Sequence, residues 1–489
     1  MRNIRTITIA VSAMPMLLIP SHGKSHEKDI KSDKPYNILF FFADDMRPTI
    51  GAYGDPYAVT PNLDALADTG TLFSNAYCQQ ALSNPSRASL LTGLRPDQTG
   101  ANRLETHFRD SLSDIVTLPQ LFRENGYYTV SIGKVFHLAR GMGDEISWDE
   151  PESNYSNRIY ALDNNKGKRE GEKGSSCEST DVPDDAYPDG QITNNAVEYL
   201  RKIKNMGDKP FFLAIGFMRP HMPFIAPSRY WDLYKDTKFE VEFPSRPEGS
   251  PEIAFHNNQE VHGYKDVDKK KPISKEKEQE LVRGYYASVS YVDTQIGKIM
   301  AAMHELGLAE NTIVVFWGDH GYHLGEQNLW CKSTNFEKAA RVPLIISVPG
   351  EKGQSTDGIV EAVDVYPTLA DLCGLETREL AGRTLRPFIE KNGYNWDYSA
   401  FNQILRPYGA ILDVPVSHIG YSVRTTKWRC TCWFDLASGK IESTELYRMD
   451  KESIEKQNLS GMKKYRKIES ELVETLKNYK NGIYEKNIR

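Results

Sequence analysis

The chain has 489 residues, 39% of them hydrophobic and 26% charged, which is too apolar for a disordered chain and allows about three domains at ~150 residues each. Against 66 Asp and Glu stand 60 Lys and Arg, a net charge of -6, which argues against a protein that coats nucleic acid but leaves room for one small basic pocket. Six cysteines without a C-x-x-C spacing exclude a thiolate metal centre and a disulfide scaffold, leaving buried free thiols or one or two disulfides.

Arg2 and Arg5 precede a mostly apolar stretch, Ile7 to Ile19, and Pro20-Ser21-His22-Gly23 follows. Basic residues, a short apolar run and then small residues have the shape of a secretory signal. Residues 1–23 are therefore expected as a signal peptide and 24–35 as a linker, on a protein exported to the periplasm or the medium. The apolar stretch is short for a spanning helix, Pro15 interrupts it, and no other run of about 18 apolar residues occurs, so no membrane span is expected.

From Asn37 the pattern is α/β. Asn37–Ala43 (NILFFFA) is a continuous apolar run, the mark of a strand buried on both faces of a parallel sheet. Thr60-Pro61 starts a helix that ends at Gly70, and Thr117-Leu118-Pro119 starts another that closes at Gly126. Strands are predicted at Tyr127–Ile132, Phe211–Phe217, Ile313–Trp317 and Leu344–Val348, with amphipathic helices at Ile192–Ile203 and Glu278–Leu306. Such alternation implies a large, mainly parallel sheet sandwiched by helices. Gly141–Gly190 and Ser245–Lys277 are polar and read as long surface insertions around a cleft. After Leu385 come shorter strand-like pieces (Gly420–Trp433) and a charged helix near Met462–Tyr479, read as a smaller C-terminal α+β subdomain over 386–489, beside a catalytic domain over 36–385.

Ligands of open α/β sheets bind beyond the carboxyl ends of the strands. There the first strand carries Asp44-Asp45, the strand at Ile313 carries Asp319-His320, Tyr127–Ile132 leads to Lys134 and His137, and Phe211–Phe217 leads to Arg219 and His221. Three carboxylates suit a hard divalent cation such as Ca²⁺ or Mg²⁺, with His320 the atypical member and zinc the competing metal. In Ser83-Asn84-Pro85-Ser86-Arg87-Ala88-Ser89-Leu90-Leu91-Thr92-Gly93, Pro85 and Gly93 frame a short helix with Ser83 at its N-terminal mouth. Free N–H groups there favour an oxyanion, and Arg87 one turn on can hold one. Trp330, beside Lys332, is expected to line the pocket. The run Lys269-Lys270-Lys271 is a solvated loop or a guide for an anionic oligosaccharide.

The pattern Ser-x-Pro-Ser-Arg-x-x-x-Leu-Thr-Gly resembles the signature of the type I sulfatases, in the alkaline-phosphatase-like superfamily. Ala43-Asp44-Asp45-Met46-Arg47-Pro48, Gly133-Lys134-Val135-Phe136-His137 and Arg219-Pro220-His221-Met222-Pro223-Phe224 are similar to its iduronate-2-sulfatase branch. The resemblance implies that Ser83 is oxidised to formylglycine (3-oxoalanine). It implies that Asp44, Asp45, Asp319, His320 and the modified Ser83 hold Ca²⁺, and that Arg87 and Lys134 stabilise the modified residue and the sulfate. His137 is then the base that releases sulfate from the modified residue, while His221 and Lys332 contact sulfate and assist the leaving oxygen. The implied reaction is hydrolysis of a 2-O-sulfate on a uronic acid of glycosaminoglycan fragments. A sulfatase for another, algal polysaccharide, or a phosphomonoesterase or phosphodiesterase using unmodified Ser83, is the alternative. Serine rather than cysteine at the modified position resembles bacterial enzymes matured by a radical-type sulfatase-maturating enzyme.

Overall fold

The computed structural model describes residues 34–137, 142–153, 159–169, 171–256, 260–407, 415–449 and 455–483. The expected signal peptide and all but the last two residues of the expected linker lie outside them.

The apolar run forms strand β1 (Asn37–Asp44), and its alternation decides the layers. Leu39, Phe41 and Ala43 enter one core together with helices α1 (Pro61–Thr69), α4 (Pro188–Asn205) and α5 (Lys275–Glu305). Ile38, Phe40 and Phe42 enter a second core on the opposite face, with α2 (Ser83–Thr92), α3 (Leu118–Glu124) and α6 (Val365–Leu372). A strand apolar on both faces has to be covered on both, and that requirement builds the three-layer sandwich. Burying each such Phe or Leu side chain is worth ~1.5–3 kcal/mol, so the central strand is strongly fixed.

The sheet holds nine strands. They are β1, β2 (Thr71–Tyr77), β3 (Tyr128–Gly133), β4 (Glu150–Ser153), β5 (Phe211–Pro220), β6 (Thr312–Gly318), β7 (Arg341–Val342), β8 (Leu344–Ser347) and β9 (Gln354–Glu361). In space the order is β7-β2-β8-β6-β1-β5-β3-β4, with β9 also on β2. The four central strands β6, β1, β5 and β3 are mutually parallel, so their carboxyl ends face one side. Strands β2, β4, β7 and β9 were absent from the sequence expectation, β4 lying inside the Gly141–Gly190 stretch read as a surface insertion. Thr71–Tyr77 mixes polar and apolar residues, and the first half of β9 is only partly covered, so neither carries the continuous apolar signal of β1.

A separate four-stranded antiparallel sheet follows: β10 (Ala400–Arg406), β11 (His418–Arg424), β12 (Trp428–Asp435) and β13 (Ile441–Arg448). Helix α7 (Arg466–Lys480) packs Leu472, Leu476 and Tyr479 on its face around Phe401, Val423 and Cys430. The fold class is the one the sequence implies: a large mainly parallel sheet between helices and a smaller C-terminal sheet with a helix. All six cysteines are free, five of them buried, so no disulfide is present. No helix among the described residues is long and apolar enough to cross a membrane.

Candidate active site

Each parallel strand of the centre delivers its chemistry just past its last residue. Strand β1 ends in Asp44, and Asp45 follows with a positive φ of 61°, a conformation that Asp tolerates better than most residues. The Tyr285 hydroxyl, from α5, donates to the Asp45 carbonyl at 2.9 Å and holds that turn. On one side β6 continues into Asp319, whose backbone N–H donates to the Ala43 carbonyl at 3.1 Å, so Asp319 is locked beside β1. On the other side β3 ends at Gly133, also at positive φ, where any Cβ would run into the Gly216 carbonyl; this close turn sets Lys134 over the end of β1.

Helix α2 brings Ser83. Every residue of this helix is buried, and Gly93 closes it in the left-handed conformation. Ser83 Oγ lies 3.1 Å from Asp44 Oδ1 and 3.1 Å from His320 Nε2. Arg87, one turn on and fully buried, donates from Nε to Asp319 Oδ2 at 2.9 Å, from Nη2 to Asp44 Oδ1 at 3.5 Å and from Nη1 to the Lys134 and Val135 carbonyls. Lys134 Nζ donates to Asp44 Oδ2. Lys332 Nζ reaches both Asp45 oxygens at 3.0 and 2.9 Å. Asp319 Oδ1 accepts from the backbone N–H of Asp45 and of His320 at 3.0 and 2.9 Å.

His320 Nδ1 lies 3.1 Å from the Gly321 carbonyl, which can only accept, so Nδ1 carries the proton. Its Nε2 then turns a lone pair towards Ser83, Asp45 and Asp319, the orientation of a metal-binding imidazole. Atoms of Asp44, Asp45, Asp319 and His320 all lie within 4.8 Å of one another, and this acidic cluster could hold a metal ion. Charge supports the fit. Burial works to raise Asp44, but Lys134, His221 and Arg87 outweigh it and hold that carboxyl well below its usual range. Burial pushes Asp45 well above the usual range, against the pull of Lys332, and Asp44, Glu260 and Asp319 add to it. A carboxyl that its surroundings would otherwise protonate is one that a divalent cation keeps ionised. The oxygen-rich donor set suits a hard cation.

The remaining expected residues surround this cluster. His137 Nδ1 is buried with no hydrogen-bond partner among the described residues, and burial and then Lys134 push its imidazole down to about 2, so it is neutral. His221 lies at the rim, its side chain 28% exposed where Asp45 is fully covered. Its Nδ1 donates to the Met222 carbonyl at 2.6 Å, and its Nε2 faces Asp45 at 3.8 Å and Glu260 at 3.6 Å. Burial and then Lys332 push it down to about 3, with Asp44 and Glu260 acting in the opposite direction. The structure thus gathers Ser83, Arg87, Lys134, His137, His221, Lys332, Asp44, Asp45, Asp319 and His320 in one pocket. Trp330 is half-buried and lines an adjoining cavity rather than the charged cluster itself.

Glu260 is the pocket residue that sequence reasoning missed. It comes from the Ser245–Lys277 insertion, takes the Cys331 thiol at 2.8 Å and lies 3.3 Å from Lys332 Nζ. Burial opposes its ionisation, but Lys332 and His221 overcome that and keep it well below the usual range. Its sequence surroundings are polar and without period, so only the tertiary fold singles it out.

A hydroxyl set among carboxylates and buried cations, at the carboxyl edge of such a sheet, is chemistry for hydrolysing an ester whose acid part is an oxyanion. The chain belongs to the sulfatase family, which it matches over residues 36–375, and it is a sulfatase. A second family, described as N-sulphoglucosamine sulphohydrolase, C-terminal, matches residues 325–482. The iduronate 2-sulfatase of Mus musculus is 34% identical over 503 residues, covering 86% of this chain and 90% of that protein. A solved structure of a protein in complex with its substrate D-glucosamine-2-N,6-O-disulfate shares 26% identity at a TM-score of 0.73, covering 92% of this chain and 98% of that one. A phosphonate monoester hydrolase from Silicibacter pomeroyi, 21% identical with a TM-score of 0.74 over 91% and 95%, shares the fold.

Proposed function

We propose that the protein is an exported exo-sulfatase that removes the 2-O-sulfate of a uronic acid in glycosaminoglycan fragments, either heparin and heparan sulfate or chondroitin and dermatan sulfate. The single observation that carries the reading is Ser83 Oγ at the mouth of α2, within hydrogen-bond reach of Asp44 and His320 inside an acidic cluster. The likeness to an iduronate 2-sulfatase supports the uronic acid. In this reading Ser83 is converted to formylglycine by a radical-type sulfatase-maturating enzyme, and Asp44, Asp45, Asp319, His320 and residue 83 hold Ca²⁺. When present, the cation draws charge from the sulfuryl oxygens and the hydrated aldehyde offers two hydroxyls on one carbon.

The chain's own residues supply the rest. Arg87 and Lys134 fix the rotamers of Asp319 and Asp44 and leave positive charge facing the incoming sulfate. Neutral His137 can take a proton from the nucleophilic residue. Lys332 neutralises a sulfate oxygen, and His221, reachable from solvent, must first take a proton on its free Nε2 as the anionic substrate binds, and then gives that proton to the leaving sugar oxygen. The negative charge of a bound sulfate acts on His221 in the same direction as Asp44 and Glu260 and strengthens its hold on that proton. Whole-chain charge is negative, yet three buried cations, Arg87, Lys134 and Lys332, converge on this pocket.

Two measurements test this. Mass spectrometry of the peptide bearing residue 83 is expected to show a loss of two hydrogens, roughly 2 Da, in active protein; an ordinary serine in fully active protein overturns the sulfatase mechanism in favour of an unmodified serine esterase. A panel of disaccharides sulfated at 2-O, 6-O or N, with and without a 4,5-unsaturated uronic acid, is expected to lose only 2-O-sulfate. Release from 6-O or N alone, or from algal polysaccharide alone, overturns the substrate and keeps the enzyme class.

A further inference from the structure

Next to the charged pocket lies a cavity of about 540 Å³, lined by Lys269, Lys270, Lys271, Lys275, His262 and Trp330 among others. That volume is within the ~300–1,000 Å³ of small-molecule sites. Its position is fixed by two short segments. Val261 lines the cavity and the preceding Glu260 faces Lys332 and His221; Trp330 lines the cavity and the following Cys331 donates its thiol to Glu260. Glu260-Val261 and Trp330-Cys331 are therefore a wall shared by the cavity and the catalytic pocket.

The charges of the cavity are unevenly satisfied. Lys271 Nζ lies 3.4 Å from Asp268, and Lys275 Nζ lies 2.9 Å from Glu278. Lys269 and Lys270 are exposed and have no ion-pair partner among the described residues. Exposed lysines on a convex surface are ordinary, but here two uncompensated ammonium groups stand over a concavity in a chain of net charge -6. Trp330 adds a half-buried aromatic face, a surface on which the C–H side of a sugar ring can rest while its polar groups stay hydrated.

We propose that this cavity is a further subsite, which binds the anionic sugar units joined to the one that carries the scissile sulfate. The inference rests on the function proposed above and extends it: the enzyme reads oligosaccharide chains beyond a single residue, through Lys269 and Lys270. Carboxylate or sulfate groups of the following units meet the two ammonium groups, and no covalent step is involved.

The test compares the full-length wild type with K269E/K270E. The probes are a heparin-derived disaccharide and a tetrasaccharide, each with one 2-O-sulfated uronic acid at its non-reducing end. In the wild type, kcat/KM is expected to be about tenfold higher for the tetrasaccharide; in the variant that ratio falls about tenfold, or 1.4 kcal/mol, and the salt dependence of tetrasaccharide turnover becomes shallower. An unchanged ratio overturns the subsite and leaves the sulfatase reading standing. Calorimetric binding of the tetrasaccharide separates the two claims where neither probe is turned over. A tenfold weaker Kd in K269E/K270E then supports the subsite while the 2-O specificity fails, and an unchanged Kd overturns the subsite as well.

Discussion

Two of the clusters of buried charge within this protein are built to opposite ends. In the catalytic pocket Asp44, Asp45, Asp319 and Glu260 pair directly with Arg87, Lys134 and Lys332, so the directly paired carboxylates exceed the directly paired cations by one, while Lys173 acts on Glu260 from farther off. At the seam between the large and the small sheet, Glu337 and Glu455 face Arg424 and Arg429. Arg429 lies 2.7 Å from Glu337 and 3.0 Å from Glu455, and Arg424 lies 3.5 Å from Glu337. Neutral donors complete the seam: the Tyr77 hydroxyl reaches Glu337 at 2.9 Å, and the Gln327 amide reaches Glu455 at 3.2 Å. In the seam both paired carboxylates find their arginine partners within the protein. The pocket keeps more carboxylates than cations in direct contact, and that imbalance, more than burial as such, separates a site from a structural ion cluster.

The sharpest way to break the contrast is at Ser83. Ser83→Ala removes the hydroxyl on which the pocket converges, and turnover of a sulfate ester is expected to fall by at least about 10³-fold. The thermal midpoint should stay within about 2 °C, since one small hydroxyl is lost. Sulfate release and a melting curve check both; retained turnover would mean that the surplus charge serves some other purpose.

At the seam the effects should trade places. Arg429→Ala leaves Glu337 and Glu455 buried without their shared guanidinium, and breaking a buried pair from one side costs about 3–5 kcal/mol. Urea titration should show that loss, while kcat/KM of the remaining folded protein stays within about twofold. A variant equally stable but inactive would show that the seam positions the pocket.

How much of each cluster is legible in the sequence follows the same division. Asp44-Asp45 and Asp319-His320 could be read because each closes a continuous apolar strand, and Ser83 because proline and glycine frame its helix. These are local signals, and β1, β5 and β6 line up only because their apolar runs force them into one sheet. Glu260 could not be read: it meets Lys332, 72 positions away in sequence, through an insertion with no period. The seam was equally silent, since Glu337, Arg429 and Glu455 come from a short helix, a strand and a segment that acquire their partners only when the two sheets pack. The C-terminal strands at Gly420–Trp433 were visible as a change of rhythm, but the first and last strands of that sheet, Ala400–Arg406 and Ile441–Arg448, were not.

The pH dependence of the seam sharpens the contrast further. Burial raises Glu455 to about 7, against the pull of Arg429, with Glu337 adding to the rise. Its folded value lies above its unfolded one of 4.5, so the native state binds that proton more tightly, and stability falls as pH rises from 4.5 through about 7. Burial opposes the ionisation of Glu337, but Arg424 and Arg429 overcome it and take it down to about 2. Its contribution is present above pH 4.5 and lost as pH falls towards 2. Glu455→Gln should remove the first slope only, flattening stability between pH 4.5 and 8 by about 3 kcal/mol in urea midpoints taken across that range. An unaltered slope would assign the raised carboxyl to another group.

The smallest effect bears most directly on what the surplus charge is for. If the pocket's extra carboxylate awaits a cation, Ca²⁺ at about 100 times its Kd stabilises the wild type by ~2.7 kcal/mol, because it binds the folded state alone. Asp45→Asn should abolish that gain, since it removes a donor from the cluster and the charge that Lys332 alone cannot match. Arg429→Ala, though less stable throughout, should keep the full Ca²⁺ increment, because nothing in the balanced seam changes when the pocket fills. Calorimetric melting with and without Ca²⁺ after chelation checks all three proteins. An increment that disappears in Arg429→Ala, or survives in Asp45→Asn, would place the cation elsewhere and remove the reason for treating the two clusters as different in kind.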